Sequence, residues 1–137
     1  MSVHPSTGEV EYCTAGHPPP IVAARSGAAR YLKLSGASPL GGGHRFPTRT
    51  FRLDDGEVVM LYSDGLVERP GRAPEESTVE ILRVVGACAS SSARSLKTEP
   101  GVAQRVCQQS LELLTRATGW AYDVTLLVAE RRIGASS

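Results

Sequence analysis

The clearest structural signal in this chain is Leu61-Tyr62-Ser63-Asp64-Gly65-Leu66-Val67-Glu68, which follows the apolar run Val58-Val59-Met60. Such a run is typical of a strand that is buried on both faces, and it delivers Asp64 to the turn that follows. We expect Gly65 to adopt backbone angles that other residues avoid. Asp64 then has one of two roles, because an aspartate in this place either forms a plain turn or coordinates a hard metal ion.

Composition and length favour one globular domain. The hydrophobic fraction of 41% and the charged fraction of 21% in 137 residues are those of a chain that buries a core. Fifteen basic and fourteen acidic residues give a formal charge of +1. This balance gives no electrostatic reason to expect nucleic acid or a membrane as partner. No apolar run approaches the roughly 18 residues that span a bilayer, and the N-terminus has no signal-peptide pattern.

The cysteines indicate the compartment. Cys13, Cys88 and Cys107 are odd in number, far apart in sequence and without a Cys-x-x-Cys pair. They are therefore expected to be reduced thiols and not disulfides or zinc ligands. The cytoplasm is the expected location.

Alternation of polar and apolar residues, or short apolar runs, predicts strands at 9–13, 21–24, 29–34, 48–53, 57–62 and 124–129. A Gly/Pro/Ser-rich loop is expected over 35–47 and a serine-rich connection over 89–97. The order of strands, two helices and a final strand predicts an α+β fold.

Helical periodicity predicts the two helices. The first begins at Pro74, with Glu75 and Glu76 near its positive end. The second begins after Thr98 and ends before Gly119. The predicted buried faces are Val79, Ile81, Leu82, Val84, Val85 and Cys88 in the first, and Val102, Ala103, Val106, Cys107, Leu111, Leu113 and Leu114 in the second.

Three further motifs accompany the Asp64 turn in a fixed order. They are Thr14-Ala15-Gly16-His17-Pro18-Pro19-Pro20-Ile21, Ser38-Pro39-Leu40-Gly41-Gly42-Gly43 and Asp123-Val124-Thr125-Leu126-Leu127-Val128-Ala129. Together the motifs resemble those of metal-dependent serine/threonine phosphatases of the protein phosphatase 2C (PPM) type. The bacterial branch similar to the stage II sporulation protein E and sigma-factor regulatory phosphatases is the nearest in pattern. The resemblance runs from about residue 8 to residue 131.

The resemblance implies an αββα sandwich, in which two antiparallel sheets pack face to face with helices outside. Residues 1–132 would be the C-terminal portion of such a domain, and 133–137 a flexible tail. The N-terminal half of the family domain is expected to be absent, because residues 1–7 contain no acid. Missing strands would leave exposed edges and apolar surface.

The resemblance also implies a reaction. Family members hydrolyse phosphoserine and phosphothreonine with a metal-activated water, using two Mn²⁺ or Mg²⁺ ions in the complete domain. We expect at most one ion in this chain. The implied substrate is a phosphoprotein of the anti-sigma-factor antagonist type, in bacterial sigma-factor or stress signalling. The alternative is a catalytically inactive remnant that acts as a binding or regulatory module, or has no function of its own.

The resemblance implies roles for three residues. Asp64 matches a metal ligand. The family has two adjacent polar residues before its last strand, and the first of them binds the metal. In this chain the first position is Tyr122 and the second is Asp123. Either Asp123 serves as the ligand after a small backbone shift, or this ligand is lost. His17 either contacts phosphate or the leaving group, or is a plain loop imidazole. We expect the Asp64 and Asp123 strand ends to lie close together, on adjacent or nearby strands, with both carboxylates at one edge of the sandwich.

Overall fold

The computed structural model describes residues 1–36, 46–90, 101–116, 119 and 123–133. Within them the chain forms seven strands, one 3-10 turn and two helices. The strands are β1 (Ser2–Val3), β2 (Glu9–Tyr12), β3 (Ile21–Ala23), β4 (Ala29–Tyr31), β5 (Arg49–Arg52), β6 (Val58–Tyr62) and β7 (Leu126–Glu130). The 3-10 turn is Asp64–Leu66, and the helices are α1 (Pro74–Ala89) and α2 (Val102–Thr115). The predicted loop motif 38–43, the connection 91–97 and the tail 134–137 lie outside the described residues.

Two antiparallel sheets form the body of the fold. The first has the order β1-β2-β5, and the second has the order β4-β3-β6-β7. The short β1 was not predicted; it pairs with β2, placing Val3 opposite Val10. Strands β3 and β4 form an antiparallel hairpin, in which Ile21 is paired with Tyr31. The predicted antiparallel sheets and flanking helices are therefore confirmed.

The layers follow from which residues each sheet buries. One face of the second sheet, which includes Ile21, Val58 and Met60, packs against the helices. The opposite face, including Val22 and Val59, packs against the first sheet. Alternate residues of a strand point to opposite faces, so a central strand covered on both sides reads as a continuous apolar run. The prediction for β6 is confirmed.

The apolar run Leu126-Leu127-Val128 likewise predicts a strand that is covered on both faces, and for β7 this prediction is wrong. Leu126 and Val128 are half-buried against the helices, but Ala129 is exposed and the Leu127 side chain is 57% exposed. Strand β7 is at the edge of its sheet, and within the described residues the three-stranded first sheet does not cover this end of it. An apolar run therefore did not guarantee two covered faces here.

The helices begin as predicted but bury fewer side chains than expected. Pro74 occupies the first turn of α1, with Glu75 and Glu76 beside it. Ile81, Val84 and Val85 are buried, as expected. Val79 and Leu113 were also expected in the buried faces, but they are 71% and 46% exposed. Both lie at the margins of the apolar stripes, where helical spacing alone defines the boundary poorly.

A buried arginine joins the two sheets. Arg131, just after β7, donates from Nη1 to the Leu53 carbonyl at 2.9 Å and from Nη2 to the Ser6 carbonyl at 3.2 Å. Gly8 lies against this guanidinium, and a Cβ there would be 2.5 Å from Nη1 and 2.3 Å from the Leu53 carbonyl oxygen. Gly8 also has φ +76°, a left-handed conformation that favours glycine.

The cysteines and the helices bear on two further expectations. Cys13, Cys88 and Cys107 are all free thiols. Neither α1 nor α2, the two helices of the part of the chain that the structure describes, is long and apolar enough to cross a membrane.

Candidate metal centre

The ends of β6 and β7 meet at one edge of the second sheet. The two strands are antiparallel, with Tyr62 paired with Leu126. Beyond this pair, the Ser63 backbone N–H donates to the Thr125 carbonyl at 3.0 Å. Asp64 follows the end of one strand and Asp123 precedes the start of the other, and both side chains are exposed. The two strand ends therefore lie on adjacent strands, as expected, and the shared position of the two carboxylates stays a prediction.

Ser63 ends β6 and starts the turn that carries Asp64. Its carbonyl accepts a hydrogen bond from the Leu66 N–H at 3.1 Å, and this bond closes the 3-10 turn. Its hydroxyl accepts a bond from the Thr125 N–H at 2.9 Å. The same hydroxyl donates to the Asp123 carbonyl in a longer contact of 3.4 Å.

The turn itself differs from the expectation in one respect. Gly65 was expected to adopt backbone angles that other residues avoid, but it lies inside the right-handed 3-10 turn Asp64–Leu66 and has no positive φ. Gly65 is buried, as is Leu66. The turn is tightened by bonds from the Val67 and Glu68 N–H groups to the Asp64 carbonyl, each at 2.9 Å.

A buried arginine fixes the chain just after this turn. The Arg69 side chain is 1% exposed, and its Nη2 lies 2.9 Å from Glu80 Oε2 in α1. Its Nη1 also donates to the carbonyl of Leu114 in α2. Arg72 shares the same Glu80 oxygen at 2.8 Å. The burial of Arg69 was not predicted, because its acceptors come from two helices that are distant in sequence.

The His17 loop is held in an unusual conformation. Ala15 has φ +37° and Gly16 has φ +85°. Left-handed angles at a residue with a side chain cost free energy and persist only where the surroundings enforce them. Here the buried Thr14 exchanges hydrogen bonds with Ser35, and the His17 N–H donates to the Thr14 carbonyl at 2.6 Å. The His17 side chain is exposed.

A cavity of about 320 Å³ brings this loop and the strand ends together. Its walls are mostly apolar and include His17, Pro18, Leu61, Ser63, Thr125 and Leu127. The His17 loop and Ser63, at the end of β6, therefore border one space, whereas Asp64 and Asp123 are not among the residues that line it. Tyr122, the position that carries the family's ligand, lies outside the described residues.

The charge of Asp64 acts on the phenol next to it. Burial raises the pKa of Tyr62 well above its usual value, and the charges of Tyr31 and Asp64 raise it further. Tyr62 therefore stays neutral over the physiological range.

The donor set limits what the centre can bind. Carboxylate oxygens are the ligands that Mn²⁺ and Mg²⁺ prefer, and Asp64 and Asp123 supply them from two adjacent strand ends. No group of three or more His, Cys, Asp or Glu side chains suited to a metal exists among the residues that the structure describes. Two exposed carboxylates at adjacent strand ends suit a hard divalent ion in charge and in ligand type.

With this fold and this arrangement, the class of protein can be stated. Two antiparallel sheets with flanking helices match the structures of PP2C-type phosphatase domains. The family model for Stage II sporulation protein E (SpoIIE) matches residues 1–132. The chain belongs to the SpoIIE family.

Solved structures agree with this assignment. The RsbU and RsbW domains of Rv1364c from Mycobacterium tuberculosis share 44% identity with this chain, with a TM-score of 0.82, over 93% of this chain and 34% of that one. The phosphatase domain of SpoIIE from Bacillus subtilis has 16% identity and a TM-score of 0.71, over 99% of this chain and 58% of that one. At that identity the Bacillus match shows the fold alone. This chain spans about a third of the mycobacterial structure and just over half of the Bacillus domain.

Proposed function

We propose that this chain is the C-terminal part of a metal-dependent protein phosphatase that hydrolyses phosphoserine or phosphothreonine. The observation that carries the proposal is the meeting of the β6 and β7 ends, which bear Asp64 and Asp123. Membership of the SpoIIE family supports the class of reaction. The matching arrangement of the sheets supports the position of the site.

In this proposal Asp64 and Asp123 hold one Mn²⁺ or Mg²⁺ ion. Both carboxylates are exposed, so each can give oxygen ligands without first breaking a contact within the described protein. A divalent ion bound there would lower the pKa of water and offset the charge of a phosphoryl group. The Ser63 backbone and hydroxyl keep the two acidic segments together.

His17 is the proposed contact for the substrate. It borders the same cavity as Ser63 and Thr125, and its loop is fixed by the Thr14–Ser35 hydrogen bonds. An imidazole in this place can donate a hydrogen bond to a phosphoryl oxygen or a proton to the departing serine oxygen. The strained backbone at Ala15 supports a functional role, because such conformations cluster at ligand sites.

The proposed substrate is a phosphoprotein of the anti-sigma-factor antagonist type. The mycobacterial structure that matches this chain includes both an RsbU domain and an RsbW domain. In that relative an RsbU domain and an RsbW domain therefore occur in one protein. We propose a bacterial signalling role in the cytoplasm on this basis.

A second candidate is favoured by one observation. Only two acids meet at the described site, and no metal-binding group of three is found within the described part of the chain. Two ions activate water and clamp phosphate better than one. A catalytically inactive, phosphatase-like module that binds a partner, or has no function of its own, is the alternative.

The two candidates differ in a direct assay. We expect the 137-residue chain to hydrolyse p-nitrophenyl phosphate with Mn²⁺ only weakly. If the gene continues upstream in frame with Gly-Asp and Asp-Gly motifs, the longer protein should turn over readily and lose at least about 100-fold of its rate in Asp64→Asn. Turnover that EDTA or Asp64→Asn leaves unchanged would contradict the phosphatase proposal. An inert longer protein would favour the binding module.

A further inference from the structure

We infer that Ser63 is a positioning residue, which holds Asp64 and Asp123 in register for one metal ion; this inference rests on the proposed function. Ser63 is the residue at which β6 leaves the sheet and enters the 3-10 turn. Its hydroxyl and backbone contact the segment that carries Asp123. No other side chain in the described residues hydrogen-bonds to both Asp123 and Thr125.

The hydrogen-bond pattern shows what the hydroxyl does. In an antiparallel ladder two residues that form a hydrogen-bonded pair exchange both of their N–H···O bonds. The Ser63 N–H does donate to the Thr125 carbonyl at 3.0 Å. The Ser63 carbonyl, however, accepts from the Leu66 N–H at 3.1 Å, because the chain has already turned. The Ser63 hydroxyl takes its place and accepts the Thr125 N–H at 2.9 Å.

Because the Ser63 hydroxyl replaces the carbonyl as the acceptor, β6 can end in a tight turn at Asp64 while the 123–125 segment stays paired with Ser63. An alanine at this position would leave the Thr125 N–H without its acceptor, and the segment that bears Asp123 would lose two of its contacts with Ser63. Threonine carries the same hydroxyl and can keep both hydrogen bonds, to the Asp123 carbonyl and from the Thr125 N–H. Groups that orient metal ligands typically change metal affinity about 10- to 100-fold when they are removed.

The test compares Ser63→Ala, Ser63→Thr and Asp64→Asn in the full chain, with Ser26→Ala as the matched control. Ser26 also accepts a backbone N–H through its hydroxyl, from Ala28 at 3.3 Å, but in a turn away from the acids. Two quantities are measured: Mn²⁺ affinity by calorimetry, and hydrogen exchange of the Thr125 amide without metal. We expect Ser63→Ala to bind Mn²⁺ at least about 10-fold more weakly and to exchange the Thr125 amide faster. Ser63→Thr and Ser26→Ala should resemble the unaltered chain in both.

The outcomes separate this inference from the proposed function. If Asp64→Asn weakens Mn²⁺ binding and Ser63→Ala does not, the role of Ser63 is overturned and the metal site stands. If Ser63→Thr loses as much affinity as Ser63→Ala, the hydroxyl is not what matters and the inference also fails. If Asp64→Asn binds Mn²⁺ as the unaltered chain does, the proposed site itself is wrong, and the positioning role falls with it.

Discussion

Arg131 donates a hydrogen bond from Nη1 to the carbonyl of Leu53 at 2.9 Å, and this bond links the end of β7 in one sheet to the end of β5 in the other. The guanidinium is buried, and a second bond to the Ser6 carbonyl ties the β1–β2 turn to the same point. A buried charge is tolerated where hydrogen bonds satisfy it. This interaction fixes how the two sheets pack at the end of the sandwich opposite the acids.

Arg131→Met should lower the free energy of unfolding by about 1–3 kcal/mol, since the buried bond to the Leu53 carbonyl and the partly buried bond to the Ser6 carbonyl are both lost. Urea denaturation followed by circular dichroism measures this change. Arg116→Met is the control: Arg116 is 67% exposed and pairs with the 64% exposed Glu112, so a loss under about 0.5 kcal/mol is expected. Equal losses in the two variants would show that Arg131 does not join the sheets as described.

Gly8→Ala should be strongly destabilising, because a Cβ would meet the Leu53 carbonyl oxygen at 2.3 Å and the Arg131 guanidinium at 2.5 Å. Gly71→Ala separates this clash from backbone strain. Gly71 has a similar φ of +73°, but a Cβ there would have no atom within 4 Å. Strain alone should cost Gly71→Ala about 1–2 kcal/mol, and Gly8→Ala should cost more. Similar unfolding midpoints for the two variants would argue against the close approach at Gly8.

The pair Val79 and Val84 tests which face of α1 is buried. Val84 is 5% exposed, whereas Val79 is 71% exposed. Val84→Ala should cost about 2 kcal/mol through lost burial and the cavity it leaves. Val79→Ala should change the free energy of unfolding by less than about 0.5 kcal/mol, because alanine favours the helix and little contact is lost. A larger loss at Val79 would mean that this part of α1 is covered.

Stability should fall between pH 10 and pH 12. Burial raises the pKa of Tyr31 from 10.0 to about 12, and its hydroxyl donates to the Thr78 carbonyl at 2.5 Å. Above pH 10 the unfolded chain releases this proton while the folded chain still holds it, so rising pH favours unfolding. Tyr31→Phe should be less stable at pH 9, where the hydrogen bond is intact, and the difference from the unaltered chain should narrow by pH 11. A constant difference in urea midpoint would contradict this sign.

The strands, helices and site segments that were predicted from sequence share one property. Each depends on contacts between residues close in the chain or on a regular period, as in β6 and at Pro74. The exposure of Leu127 could not be predicted, because it depends on how far the other sheet extends. The burial of Arg69 depends on acceptors in two helices.

The site was predicted only in part for the same reason. Local sequence marked Asp64 and Asp123 as acids near strand ends, and the antiparallel pairing that brings these ends together agrees with that expectation. The role of the Ser63 hydroxyl was missed. This role depends on the strand register. The Ser63 carbonyl accepts the Leu66 N–H, so the Ser63 hydroxyl accepts the Thr125 N–H in its place.

The most direct test of the account is whether one Mn²⁺ ion binds between Asp64 and Asp123. Mn²⁺ is paramagnetic, so titration into the ¹⁵N-labelled chain should broaden the amide signals of residues 63–65 and 123–125 before the others. Asp64→Asn and Asp123→Asn should each abolish this selective broadening, because ligand charge and number set the affinity of such a site. Asp54→Asn, a 72% exposed acid that pairs with Arg52, should leave it intact. Broadening that ignores these segments, or that survives Asp64→Asn, would contradict the proposed metal centre.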